Sequence, residues 1–387
     1  MGSRLLPFIA ALCFCAGALQ AQEPPAPSSR AQAVKIIADM QRIVTPLGIQ
    51  RHEKVRIGGI DQWVSIRGAD RRNPILLMVH GGPGWVSMPT SWYFQRGWEE
   101  YFTVVQWDQR GAGSTYAAND PAAVAPTMTP ERMIGDTEEM VAWLRKKFGK
   151  RKIFLLGHSW GSYLGLEVAQ RHPDWLYAYI GMGQVINSPA SEREGWQFAM
   201  DEARKAGNGQ AVKELESIAP YASGTGPVSL ASLAIQRKWL NQYGGMVYGR
   251  TGGQAEAAAM SLSPEYSDRD VQLLGEANEY SVNKLLVSVL TMDLSHIHRF
   301  GCPVVMFLGR HDRNVSSNVA AAWFQTVQAP SKKLVWFENS AHEMMNEEPG
   351  KTLLSLVQYV RPLDTDDPGD AGATADARPA AEGGAPR

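Results

Sequence analysis

The chain has 387 residues, 38 basic and 39 acidic side chains and a formal net charge of −1, a balance that offers nucleic acid or an anionic membrane no global basic field. With 44% hydrophobic and 20% charged residues it can bury a sizeable core, which excludes a disordered or fibrous chain, and no internal repeat is present.

Arg4 is followed by an apolar run from Leu5 to Ala16 and then by small residues. That run is shorter than the roughly 20 residues a bilayer-spanning helix needs, so residues 1–21 are expected to be a secretory signal peptide, cut after Ala21 or else after Ala18. A retained amphiphilic anchor is the alternative. Export to the periplasm or the medium, with no stable membrane insertion after processing, follows from the first reading. Cys13 and Cys15 lie inside this segment, so processing leaves Cys302 alone, without an intramolecular disulfide and most simply a small buried hydrophobe at a strand entrance. Loss of Arg4 takes the mature charge to −2, from 37 basic and 39 acidic groups.

Residues 22–31 are rich in Pro and Ser and read as a linker, and 363–387, rich in Ala, Gly, Pro and Asp, read as a disordered tail. Between them, short apolar runs at 74–80, 102–108, 152–158, 177–183, 303–309 and 333–338 alternate with helical patterns at 133–148, 163–171, 319–327 and 352–360. Continuous apolar runs of this length suit strands covered on both faces, and the helices supply the crossovers. An α/β sandwich with a mostly parallel central sheet is expected over 32–185 and 296–362. The rhythm stops from 186 to 295, where the sequence is helical and polar with scattered aromatic residues. A stretch of that length is too long for a plain loop and is expected to form a helical cap over the carboxyl edge of the sheet, shaping a pocket; a helical layer that only packs is the alternative.

Gly157-His158-Ser159-Trp160-Gly161 follows the run KIFLL and precedes a helical pattern. This is the spacing of a nucleophile elbow, in which a sharp strand-to-helix turn thrusts the serine above the sheet and the flanking glycines leave room for the crossing chain. A serine alcohol needs a base to take its proton and an acid to orient the base, in the chain order Ser, acid, His. Asp312, at the end of the run PVVMFLG, and His342, in the loop after KLVWFE, stand where these partners belong. Alone, each would read as a turn residue or a loop histidine; their joint placement favours a triad. An oxyanion hole needs two N–H donors, for which the backbone of Trp160 and of Gly82, in His80-Gly81-Gly82-Pro83-Gly84, are the candidates.

The combination of HGGPG at 80–84, WDQRGAGST at 107–115, GHSWGS at 157–162, GRHD at 309–312 and the late His342 resembles the proline iminopeptidase group of α/β hydrolases, across about residues 50–362. The resemblance implies an α/β-hydrolase fold and a serine hydrolase that releases an N-terminal residue, classically proline, from short peptides or small amides without a cofactor. It also implies that Asp108, Gln109 and Arg110 brace the loop after their strand. Family members recognise the free amine with cap carboxylates, often beside a Trp-Glu pair. Here Trp239 is followed by Leu240, and Glu276 and Glu279 are the substitute candidates, unless they are solvated helix charges. This departure keeps a carboxylesterase, lactonase or amidase of the same fold as the alternative, with a non-catalytic binding protein as a third reading. His296 and His298 have no third ligand nearby and no metal site is expected. The basic run from Arg145 to Lys152 reads as a solvated helix end rather than a nucleic-acid patch.

Overall fold

In the computed structural model, which describes residues 26–224 and 228–365, the chain enters through α1 (Arg30–Met40) and a hairpin of β1 (Ile49–Ile57) and β2 (Ile60–Gly68). It then alternates strand and helix: β3 (Ile75–Val79), β4 (Thr103–Trp107), α2 (Pro130–Phe148), β5 (Ile153–His158), α3 (Trp160–Arg171) and β6 (Leu176–Met182). Five helices follow, α4 (Ser188–Lys205), α5 (Gly209–Glu216), α6 (Leu230–Gln242), α7 (Gln254–Met260) and α8 (Asp268–Leu290). The sheet resumes with β7 (Val304–Gly309), α9 (Ser317–Thr326), β8 (Lys332–Phe337) and α10 (Pro349–Ser355). The segment read as a signal peptide, 1–21, and the tail beyond 365 lie outside the described residues.

The strands form one sheet in the order β1-β2-β4-β3-β5-β6-β7-β8, parallel from β4 through β8 and antiparallel where β2 meets β1 and β4. Side chains of β3 and β5 alternate between two cores, as the period of two in a strand requires. Leu77, Val79 and Leu155 pack with α2, α3 and α9 on one face; Leu76, Met78, Phe154 and Leu156 pack with Trp98, Phe102, Met344 and Leu356 on the other. The six strands read from apolar runs and the α/β architecture are present, with ends shifted by a residue or two.

The β1–β2 hairpin is absent from the strands expected above, because a charged, half-exposed pair makes no continuous apolar run. Its available signal is Gly58-Gly59 between two alternating segments, a two-residue hairpin turn. Both glycines have positive φ, and a Cβ on Gly58 would stand 1.9 Å from Asp136 Oδ1. The linker reading also needs correction at its end. Ser29 caps α1 by accepting from the Gln32 N–H, and Arg30 reaches 231 residues along the chain to donate to the Ser261 carbonyl at 2.6 Å. It also pairs with Asp268 and donates to the Tyr266 carbonyl at 2.7 Å. One arginine thus docks α1 where composition alone suggests a segment without contacts.

The chain order β3, β4, then β5 on the far side of β3 reverses the direction of winding, which opens a crevice at the carboxyl ends of β3 and β5. The loops after β3, β5, β7 and β8 all emerge at that edge, and α4 to α8 leave the sheet from the same edge after β6.

Candidate active site

Ser159 joins β5 to α3 with φ 53° and ψ −122°, a conformation that L residues avoid. Two neighbouring glycines let the turn exist: a Cβ on Gly157 would stand 2.3 Å from the Gly161 carbonyl oxygen, and one on Gly161 would stand 2.0 Å from that of Val79. The elbow therefore needs the helix start to lie directly against its own strand and against β3. Trp160 occupies the first helical position, where no carbonyl of the helix can accept its N–H.

Asp312 and His342 meet although 30 residues separate them: Asp312 Oδ2 lies 2.7 Å from His342 Nδ1, with both side chains buried. Asp312 Oδ1 accepts from the Asn314 and Val315 N–H groups at 3.0 and 2.9 Å, which fixes the carboxylate plane. Burial pushes the His342 pKa down, but the charge of Asp312 and its hydrogen bond, with Glu343 and Glu347 behind them, outweigh burial and raise it above the ordinary histidine value. Gly183, at φ 55°, leaves space for the ring, since a Cβ there would stand 3.0 Å from His342 Cε1. Ser159, His342, Gly82 and Trp160 line one cavity of about 450 Å³.

The loop after β3 is held by its own histidine and by Gln109. His80 is buried, and that burial pushes its pKa down to about 4, so the ring is neutral. Its Nε2 accepts from the Gln109 N–H at 3.2 Å, which puts the proton on Nδ1, 2.8 Å from the Gly81 carbonyl oxygen. The Gln109 amide donates to the His80 carbonyl at 2.9 Å and accepts from the Trp160 indole at 3.1 Å, tying the Gly82 loop to the elbow. Arg110 makes a buried pair with Asp136 at 2.8 Å, and Asp108 accepts from the Ser114 N–H at 2.8 Å and from the Tyr266 hydroxyl of the helical segment. Bracing, rather than reaction, is what these three side chains do in the fold.

The cap candidates fall elsewhere. Trp239 packs against Met200 and Leu215, and its indole donates to Glu214 at 2.8 Å. Glu276 is exposed and accepts from the Tyr116 hydroxyl, and Glu279 is exposed on the same helix. None of the three lines the cavity, because the helix faces that carry them turn toward neighbouring helices or solvent. The carboxylates that do line it are Glu192, Glu256 and Glu343. Glu192 is neutralised by Arg237, at 3.0 Å from one oxygen, and accepts from the Tyr221 hydroxyl at 2.8 Å. Glu256 pairs with Arg250 at 3.1 Å through Oε1, while its buried Oε2 and the Oδ1 of Asn241 find no hydrogen-bond partner among the described residues. Sequence spacing holds no hint of these two positions, which lie on different helices and have only the cavity wall in common.

Cys302 is buried at the entrance to β7, and burial raises its thiol to about 11, which leaves it protonated and unreactive.

Residues 74–349 match the alpha/beta hydrolase fold family. The chain is 30% identical, over 312 residues that make up 80% of it and 96% of the relative, to the probable aminopeptidase YbaC of Bacillus subtilis (strain 168). To the proline iminopeptidase of Saccharolobus solfataricus it is 24% identical, over 79% of this chain and 90% of that one. Among solved structures, a proline iminopeptidase-related protein from Thermus thermophilus superposes with a TM-score of 0.56 at 18% identity, covering 80% of this chain and 96% of its own, a likeness of fold.

Proposed function

This chain belongs to the α/β hydrolase fold family, and we propose that it is a serine aminopeptidase that releases an N-terminal residue from short peptides or small amides through an acyl-enzyme. The observation that carries the aminopeptidase reading is the pair of unpartnered acceptors, Glu256 Oε2 and Asn241 Oδ1, in the wall of the cavity that Ser159 lines. A buried carboxylate oxygen without a donor is costly, and a substrate ammonium supplies the N–H groups that Oε2 lacks while Arg250 holds Oε1. An ester without an amine would leave both acceptors bare.

In the proposed reaction Ser159 Oγ attacks the scissile carbonyl while His342 Nε2 takes its proton, and Asp312 holds the imidazolium that results. The N–H groups of Gly82 and Trp160 stabilise the oxyanion. His342 then returns the proton to the departing amine, and water, deprotonated by the same ring, releases the amino acid and regenerates Ser159. Val282, Leu286 and Val289, spaced along one face of α8, form an apolar wall with Leu233 that receives the side chain of the N-terminal residue. The cavity holds more than one pyrrolidine ring, so large aliphatic residues are accepted along with proline.

The test is a matched set of leucine and proline arylamides, their N-acetylated forms, and a short acyl ester lacking an amine. The free-amine arylamides should be cleaved and the acetylated ones should not. Glu256→Gln should raise KM for free amines by roughly 10- to 100-fold, the worth of about 1.5–3 kcal/mol for a charged hydrogen bond. Equal turnover of the acetylated compounds, or preference for the plain ester, would move the assignment to a carboxylesterase.

A further inference from the structure

His342 is gripped through its backbone as well as its ring. Its N–H donates to the Met246 carbonyl at 3.0 Å, and His158 Nε2 lies 3.0 Å from its carbonyl oxygen. Ala341 and Glu343, the residues on either side, both donate to one carboxylate, that of Glu347: Ala341 at 3.0 Å to Oε1 and 3.1 Å to Oε2, Glu343 at 2.9 Å to Oε2. Glu347 Oε1 accepts a further N–H, from Tyr248, at 2.6 Å. Tyr248 belongs to the strap 243–253 that joins α6 to α7 in the helical segment. The same strap reaches the acid: the Gly245 carbonyl accepts from the Arg313 N–H at 3.0 Å, and the Tyr248 ring stacks on His311 with centroids 3.7 Å apart. Four contacts, from Gly245, Met246 and Tyr248, thus bind the strap to both neighbours of Asp312 and to the loop of His342. Asn241 and Glu256, the acceptors assigned to the substrate amine, stand just outside the strap's two ends.

We infer that Glu347 is a positioning residue that clamps the His342 loop to this strap, so that the base is held in place only while the helical segment is seated over the site. The inference rests on His342 being the base. An acceptor-only carboxylate serves here because every group pointing at it is an N–H, three donors against two oxygens; a neutral carboxyl or amide would present a hydrogen to at least one of them. The charged groups that face His342 are Asp312, Glu343 and Glu347, and the ring of His158, whose pKa burial lowers, is centred 4.9 Å away. Glu347 therefore contributes to the base electrostatically as well as sterically.

Glu347→Gln in the full chain separates these effects from simple packing. The expected result is a kcat lower by about 10²-fold with KM nearly unchanged, the cost of a catalytic group displaced by about 1 Å. The acidic limb of kcat/KM should move to lower pH, because one carboxylate that raises the His342 pKa is gone. Hydrogen exchange at 341–343 and at 246–248 should quicken together. Wild-type kcat with an unmoved limb overturns the inference, and so does faster exchange confined to 341–343. Tyr248→Pro, which removes the strap's N–H from the clamp together with the ring stacked on His311, guards against a Glu347 variant that fails to fold; it should also lower kcat, and an unchanged kcat would refute the coupling. Ser159→Ala distinguishes the two levels: activity in that variant refutes the serine mechanism, whereas the exchange measurement reads the clamp whatever the chemistry.

Discussion

At Ser159 the local fold works against its own stability. A side chain held at φ 53° and ψ −122° costs on the order of 1–3 kcal/mol, and the surrounding glycines and the start of α3 impose it. Glycine tolerates that conformation, so Ser159→Gly should abolish turnover yet raise the unfolding free energy by about 1 kcal/mol, read from urea midpoints at unchanged slope. Ser159→Ala should be equally inactive without that gain, since alanine keeps the Cβ that is strained. A stabilised Ala variant, or a Gly variant no more stable than wild type, would show that the turn is not strained. Both the serine and its glycines could be read from the sequence, because elbow spacing is local and mechanical. Glu256, Asn241 and Glu347 could not, because their significance lies in which distant groups they face.

Elements meet here through glycine contacts whose sign can be checked. On Gly161 a Cβ would stand 2.0 Å from the Val79 carbonyl oxygen, backbone of a central strand that cannot yield. Gly161→Ala should therefore push α3 away from β3 and cost about 1–3 kcal/mol or more. Gly275, on the exposed side of α8, is the control: nothing stands within 4 Å of an added Cβ, and Gly275→Ala should stabilise by about 1 kcal/mol through helix propensity alone. Two thermal melts decide the matter, and a Gly161 variant as stable as wild type would remove close packing as the reason for that glycine. The hairpin of β1 and β2 shows why elements with one polar face are harder to read than those buried on both: its alternation is diluted by Arg51, Glu53, Lys54 and Arg56, and only the Gly58-Gly59 turn marks it.

Across the whole molecule, Arg110 ties three separate regions together. It pairs with Asp136 of α2, donates to the Gly58 carbonyl of the hairpin turn at 2.7 Å and to the Thr127 hydroxyl at 2.9 Å, and is almost wholly buried. Arg110→Met leaves Asp136 with the partly exposed Arg132 and the amide of Gln62. Removing one partner of a buried pair typically costs about 3–5 kcal/mol, so this variant should melt far below wild type. Arg110→Lys keeps the charge but loses the planar fork, and should recover only part of the loss. A melt of the Met variant within a degree of wild type would place the stability elsewhere. Arg30 makes a comparable long-range tie at the surface, joining α1 to the segment around Tyr266.

The sequence by itself determined the α/β alternation, the helical interruption before the last two strands and the elbow at Ser159, and it named Asp312 and His342 as the partners proposed for it, because strand and helix periodicities and the elbow are written in neighbouring residues. Tertiary structure decided what the spacing leaves open. Trp239, Glu276 and Glu279 turn away from the cavity, while Glu256 and Asn241 enter it with acceptors unmet, and Glu347 gathers N–H groups from two distant loops. Helix rotation and packing set which face of a helix looks inward, and those depend on contacts far apart in the chain. The order of the proposed triad can be read along one dimension, whereas the contacts proposed for recognition and positioning arise only when the helical segment is seated on the sheet.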